Sequence, residues 1–232
     1  MNLKDSSIVV VGGSSGIGRG IAEEALRRGA RVTLVGRDET RLEAVRREIK
    51  AHAAVVADVA DEAAVQSLAA KVGEVDHLVT TAISGAGEKL TQMKVATVRE
   101  VLDSKVLAAL LLARHVKLRG SFTLTAGVAA ERPGPSGAAV SAANGALFSL
   151  ARALALELAP VRVNVISPGW VDTALWDKLG GDKQAMFARV AERLPVKRIG
   201  TTADLAHAAM FLMENGFMTG AVLPVDGGHR LV

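Results

Sequence analysis

Seven short runs rich in β-branched residues alternate along this chain with segments of helical periodicity, and that alternation constrains the fold most. The runs are Ile8–Val11, Arg31–Gly36, Ala53–Ala57, His77–Thr81, Ser121–Thr125, Arg162–Ile166 and Ala221–Val225, and each reads as a strand. Between them apolar residues recur at the helical period, as in Leu42, Val45 and Ile49, or Val65, Leu68 and Val72. Strands that alternate with helices pair in parallel and are covered on both faces. The expected fold is therefore α/β: a Rossmann-type, doubly wound, seven-stranded parallel sheet between two helical layers. With 232 residues, half of them hydrophobic, the chain is long enough to bury a substantial core. No linker, repeat or low-complexity tract divides it, so residues 1–232 are expected to form a single domain.

Composition removes several kinds of chemistry. Cysteine is absent, which excludes disulfides, thiolate metal sites and a cysteine nucleophile and suits a reducing cytoplasm. His52, His77, His115, His207 and His229 lack the paired spacing of metal ligands, so no metal site is expected. Ser136 and Ser141 have no histidine close in sequence to serve as a base. Four consecutive aliphatics at Ile8–Val11 are too few for a signal-peptide core. The apolar run Val106–Ala113, bracketed by Lys105 and Arg114, cannot span a bilayer, and no membrane partner is expected.

The formal net charge is +4, and basic residues concentrate between Arg27 and Lys50, with Asp38, Glu39, Glu43 and Glu48 among them. That spacing suits solvated helix faces with ion pairs one turn apart, or a local pocket for a small polyanion. Nucleic acid is not expected, because no basic run is interleaved with aromatics.

The first strand leads into Val11-Gly-Gly-Ser-Ser-Gly-Ile-Gly18 and then into a helix. Gly12, Gly16 and Gly18 let the backbone turn sharply and approach a pyrophosphate, with Ser14, Ser15 and Ile17 between them. The helix N-terminus adds free N–H groups and partial positive charge. The strand–loop–helix context is what turns this glycine spacing into a nucleotide-binding signal. At the end of the second strand stands Gly36-Arg37, where a binder of a free 2′-hydroxyl would carry a carboxylate. Arg37 is suited to pair with a 2′-phosphate, so NADP(H) is the expected cofactor.

These pieces, with Asp58-Val59, Arg162-Val-Asn-Val-Ile-Ser-Pro-Gly169, Val171, Thr173 and Thr219-Gly-Ala-Val-Leu-Pro-Val-Asp-Gly-Gly228, resemble the short-chain dehydrogenase/reductases over essentially the whole chain. The resemblance implies that Asp58 and Val59 contact the adenine. It implies that Pro168, Gly169 and Val171 border the nicotinamide, with Thr173 near its carboxamide and the phosphates. The segment Thr81-Ala82-Ile83 stands where the family has Asn-Ala-Gly, and Ala82 is carried over as a cofactor contact. Trp170–Leu194, with Trp176 and Phe187, would form a lid over the substrate.

The same resemblance exposes a departure. The family uses a Ser, a Tyr and a Lys four residues after the Tyr, supported by an Asn. Aligned on Val140-Ser-Ala-Ala-Asn-Gly-Ala-Leu147, the Tyr becomes Val140 and the Lys becomes Asn144; the Ser falls at Gly127 and the Asn at Lys105. No other tyrosine can substitute, since the chain has none. Loss of a positioned acid–base group costs on the order of 10² to 10⁴ in rate. Projection of Val98–Val116 as a helix puts Lys105 among Val98, Val101, Leu102, Ala109, Leu112 and Val116. Lys105 is expected to reach toward Asn144 and restore an ammonium near the nicotinamide ribose; the alternative is that it snorkels to the surface or fills the vacated space.

Three functions follow. The chain is an NADP(H)-dependent oxidoreductase with a rearranged site, reducing a C=O, C=C or C=N bond of a small molecule. Alternatively it is an isomerase or cyclase that keeps the nucleotide as a structural element. In the third reading it is a catalytically inactive paralogue that senses NADP(H) or scaffolds. Family members commonly form tetramers through the helices that here run 94–117 and 137–158, so a homotetramer or homodimer is expected.

Overall fold

All seven strands form, in one parallel sheet of order β3-β2-β1-β4-β5-β6-β7. The computed structural model describes residues 2–84, 87–174, 176–178 and 182–232. The strands are β1 (Ser7–Val11), β2 (Arg31–Gly36), β3 (Ala53–Val56), β4 (Glu74–Thr80), β5 (Lys117–Thr125), β6 (Arg162–Pro168) and β7 (Val222–Val225). The helices are α1 (Gly16–Arg27), α2 (Glu39–Ile49), α3 (Glu62–Val72), α4 (Val95–Leu102), α5 (Ala108–His115), α6 (Ala138–Glu157), α7 (Lys183–Arg193) and α8 (Thr202–Glu214).

β4 and β5 begin several residues before their apolar cores, and their pairing slips between Val75 and His77. Gly120 sits beside that irregularity, where an added Cβ would lie 2.6 Å from the Asp76 carbonyl. A strand glycine at a close backbone approach is the usual companion of such a shift.

The period-two geometry of a strand explains the apolar runs. Val9 and Val11 enter one core layer with Leu78, Leu112, Phe122 and Leu147, while Ile8 and Val10 enter the other with Ile21, Leu34, Leu42 and Leu205. A sheet buried on both faces needs apolar residues at every position, not at alternate ones.

α6 is long and apolar enough to cross a membrane by length and composition alone, which the apolar run considered in the sequence did not reveal. Here it lies on the sheet, with Ala143, Leu147, Ala151 and Leu154 buried.

Four helices are capped by their own side chains. Asp38, Asp61 and Asp182 each accept a backbone N–H, and Thr201 forms a reciprocal capping box with Asp204. α1, like α4 and α6, has none: its N-cap, Ser15, makes no side-chain cap.

Candidate functional site

In open α/β sheets, ligands settle beyond the carboxyl ends of the strands where the strand order reverses. Here that point lies between β1 and β4, and the glycine loop leaves β1 there. The amide of Gly12 donates to the Val35 carbonyl at 2.8 Å, and that of Thr81 to the Val11 carbonyl at 2.9 Å. Thr81 also donates its hydroxyl to the same oxygen at 3.0 Å. The space around that hydroxyl admits no extra carbon: a Cβ on Gly12 would stand 2.5 Å from Thr81 Oγ1, and one on Gly18 would strike the Gly12 carbonyl. Gly12 and Gly16 have φ of +80° and +51°, in the left-handed region that favours glycine.

The uncapped first turn of α1 faces this loop, so its N–H groups remain available to an anion. A Cβ on Gly16 would lie 3.5 Å from the Thr173 side chain, so the segment after β6 closes over the loop from the other side. Ser14 stands beside Gly36 at the end of β2. The amide of Ala57 donates to Gly36 at 3.0 Å, which brings Asp58 and Val59 to the same edge. Asp58 is exposed and accepts the Ala60 amide, whereas Val59 is buried in the core.

Most of the basic cluster is spent on ion pairs. Arg27 and Arg28 pair with Glu24, Arg41 with Asp38, Arg46 and Arg47 with Glu43, and Arg19 with Glu23 and Glu48. Arg37 is exposed, directly follows β2, and makes no ion pair among the described residues. An unpaired guanidinium at the strand end is what a phosphomonoester would require.

Lys105 is buried, 6% exposed, so it does not snorkel to the surface. Nor does it hydrogen-bond Asn144. Its Nζ donates to the main-chain carbonyls of Thr125 at 3.0 Å and Ala126 at 3.4 Å, the oxygens that end β5. Burial alone lowers its pKa to about 8. The cause of the misdirected expectation is local: Asp103–Leu107 is a π-helical turn between α4 and α5, with Lys105 at its centre. A π turn takes an extra residue, so a projection at constant helical pitch misplaces its neighbours. Leu102, expected inside, is exposed.

Asn144 is buried with Oδ1 unpaired, and it fills the space beside Gly127: a Cβ there would come within 3.1 Å of its Nδ2. The three aligned positions 105, 127 and 144 thus converge on the end of β5, but through the main chain.

Beyond β6, Gly169 donates its amide to Val225 at 3.1 Å, and a Cβ there would lie 2.7 Å from Asp226 Cα. Val171 is buried and bridges to Gly200. Asp226 shapes the terminal turn: it accepts the amides of Gly228 and Arg230 and pairs with the Arg230 guanidinium. In the expected lid, Trp176 donates Nε1–H to the Val171 carbonyl at 2.8 Å, and Lys183 bridges Asp172 and Asp177 at 2.7 Å each. Residues 175 and 179–181 of that segment lie outside the described residues. Among the described residues no cluster could hold a metal ion.

Comparison with known proteins agrees with this architecture. The family model described as enoyl-(acyl carrier protein) reductase matches residues 11–230. The short-chain dehydrogenase/reductase ucsE of an Acremonium species is 33% identical over 99% of this chain and 97% of its own. The 3-oxoacyl-[acyl-carrier-protein] reductase of Homo sapiens is 32% identical over 98% of this chain and 99% of its own. Among solved structures, MalC reductase/Diels-Alderase from Malbranchea aurantiaca superposes with a TM-score of 0.94 at 27% identity, covering 99% of this chain and 98% of that one. A small-chain dehydrogenase in complex with NADPH gives 0.84 at 32% identity, covering 99% and 100%.

Proposed function

The chain belongs to the short-chain dehydrogenase/reductase family, and from that premise we propose that it is an NADP(H)-dependent reductase with a non-standard active site, acting on a C=O, C=C or C=N bond of a small molecule. The nucleotide fits the residues present. The Gly12–Gly18 cradle has no room for a Cβ at its two ends, the first turn of α1 is uncapped, and Arg37 is unpaired. The similar dehydrogenase solved with NADPH supports the same choice. Gly12, Ser14, Ser15, Gly16, Ile17 and Gly18 would hold the pyrophosphate, Arg37 the 2′-phosphate, and Asp58 and Val59 the adenine side. Ala82, Pro168, Gly169, Val171 and Thr173 would border the nicotinamide half. When bound, the cofactor supplies the hydride.

The observation that carries the non-standard site is Lys105. It is a buried ammonium at the end of β5 that makes no ion pair among the described residues, in a chain with no tyrosine. A charge held in a dry setting stabilises negative charge that develops nearby far better than it would in water. Lys105 braces the end of β5 and supplies that field, while Asn144 holds the space beside Gly127. No side chain here repeats the family's phenol, so the substrate is one whose reduction depends little on a proton donor of that kind.

A second reading, a cyclase or isomerase that retains the nucleotide as a structural element, is favoured by the likeness to MalC, described as a reductase/Diels-Alderase. Titration with NADPH, followed by substrate-dependent loss of NADPH absorbance on carbonyl, enone and imine panels, separates them. Consumption supports the reductase, whereas binding with cyclisation and no consumption supports the cyclase. Binding with neither would leave a sensor or scaffold.

We propose further that the chain assembles in the cytoplasm as a homotetramer or homodimer. The exposed Leu102, Leu107, Leu110 and Leu156 on α4, α5 and α6 and the turn between them support this.

A further inference from the structure

A cleft of about 180 Å³ opens at the amino ends of β1, β2 and β3, on the sheet face that α3 covers. The glycine loop leaves the other end of β1. From Ser7 in the cleft to Gly12 in the loop the strand runs roughly 16 Å, so the two places are separate.

Side-chain size makes the cleft. Strand register puts Ser7 beside Arg31, Val9 beside Thr33, and Thr33 beside Ala53, all on one face by the two-residue period. Further along that face Val11 and Val35 stand side by side and are buried in the core. At the cleft the smaller Ser7, Thr33 and Ala53 occupy the equivalent places and are only half-buried. α3 ends at Val72, and Gly73 turns the chain into β4, which leaves this floor open. A parallel sheet is ordinarily covered on both faces, so this part of the face lacks its cover.

The mouth is basic. Arg31 opens β2, His52 precedes β3, and Lys71 lies in the last turn of α3. All three line the cleft and are exposed, and their side chains make no ion pair or hydrogen bond among the described residues. The acids at this end are already engaged. Glu74, which also lines the cleft, pairs with Arg119 at 3.5 Å. Asp76 accepts the Ser7 amide and hydroxyl at 2.8 Å each and pairs with Arg119 at 3.2 Å.

We infer that this cleft is a second binding site, for a small monocarboxylate with a benzene-sized apolar body. The body lies on Val9, Thr33, Ala53 and Val55, and the carboxylate meets Arg31 and Lys71. An apolar cavity of about 150 Å³ holds a benzene ring, so the volume suits one ring and is too small for a dinucleotide. A guanidinium matches a carboxylate in two parallel hydrogen bonds, and the lysine adds a second charge from another element. A bare inorganic anion would leave the apolar floor uncovered. The site does not depend on the cofactor reading.

The test is isothermal titration calorimetry of the full chain with benzoate and with benzyl alcohol, with and without NADPH. The expected result is saturable benzoate binding, unchanged by NADPH, at a dissociation constant at least about tenfold below that of the alcohol, as a charge-assisted hydrogen bond predicts. Arg31→Met/Lys71→Met removes two exposed charges and should bind acid and alcohol alike. Ala53→Leu fills the floor and should bind neither, with a urea midpoint to show that it folds; if it does not fold, the double variant decides alone. No benzoate binding in the native chain would overturn the inference. So would an acid preference that survives in the double variant, or displacement of benzoate by NADPH, which would move it to the glycine loop. Sedimentation of the native chain and the double variant covers the other occupant. An oligomer that the double variant dissociates, with no benzoate bound, would give the cleft to a second copy and overturn the inference too.

Discussion

Lys105 donates its ammonium to the main-chain carbonyl of Thr125 across 3.0 Å, so a charge carried on a helix terminates the strand that ends at the site. The pair joins the π turn to β5 without a carboxylate between them. Buried charges without a counterion are costly and are retained for a reason other than stability.

Replacing that ammonium should therefore separate stability from activity. Lys105→Met is expected to fold at least as stably at neutral pH, while reductase turnover falls about a hundredfold, as loss of one preorganised electrostatic group does. The measurements are urea midpoints and steady-state NADPH oxidation. An unchanged rate would assign Lys105 to packing alone.

The same lysine predicts an alkaline stability window. Its folded pKa of about 8 lies below the ordinary 10.5. Below pH 8 both folded and unfolded states are protonated, and the full cost of burying the charge is present. As pH rises from 8 to 10.5 the folded state loses its proton first, and stability rises by up to about 3 kcal/mol at about 1.4 kcal/mol per unit. No cysteine or tyrosine titrates in that window to mask it. Urea midpoints between pH 7.5 and 10.5 should rise in the native chain and stay flat in Lys105→Met.

His77 predicts the opposite limb. Its imidazole is buried against the Ser121 hydroxyl at 2.8 Å, and burial, aided by Arg162 and opposed by Asp76, lowers its pKa to about 4. Stability is complete above the unfolded value near 6.5 and is lost as pH falls toward 4, because the unfolded chain takes up the proton first. Thermal melts from pH 7 to 4.5 should show this loss. His77→Gln should flatten it.

Arg162 closes the end of α8. Its guanidinium donates to the carbonyls of Leu212 at 2.6 Å, Met213 at 2.7 Å and Met218 at 3.3 Å. Arg162→Met removes the donor from the Leu212 and Met213 oxygens in a buried setting, while Met218 keeps the Asn164 amide at 2.8 Å, and should cost about 2 to 4 kcal/mol in urea unfolding. Arg162→Lys should recover only part, since one ammonium cannot span the same fork.

The nucleotide loop gives two graded tests. Gly18→Ala should weaken NADPH binding more than about tenfold, because the new methyl strikes the Gly12 carbonyl and Thr81 hydroxyl. Arg37→Met should leave NADH binding unchanged and reduce the preference for NADPH by about tenfold or more. Both are read by nucleotide fluorescence.

The strands and the glycine loop were legible in the sequence because their signals are local. Ile8–Val11 is apolar at every position, and the loop's glycines mark where the backbone must turn. Ion pairs one turn apart account for most of the Arg27–Lys50 charges, since partners three or four residues apart share a helix face. Arg162 carried no such signal: its three carbonyl partners lie some fifty residues away.

By itself the sequence determined the fold class, the order of strands and helices, the place of the nucleotide loop and the absence of tyrosine from the chain. Periodicity, turn chemistry and composition are properties of neighbouring residues or of the whole count, and need no coordinates. Only the tertiary structure decided where the buried charges go. Lys105 lies on the expected inner face, but its ammonium, carried on a π turn, hydrogen-bonds the carbonyls of Thr125 and Ala126 and not Asn144. A polar group buried in a protein must find whatever partner the packed chain presents, and packing brings together residues that are remote in sequence.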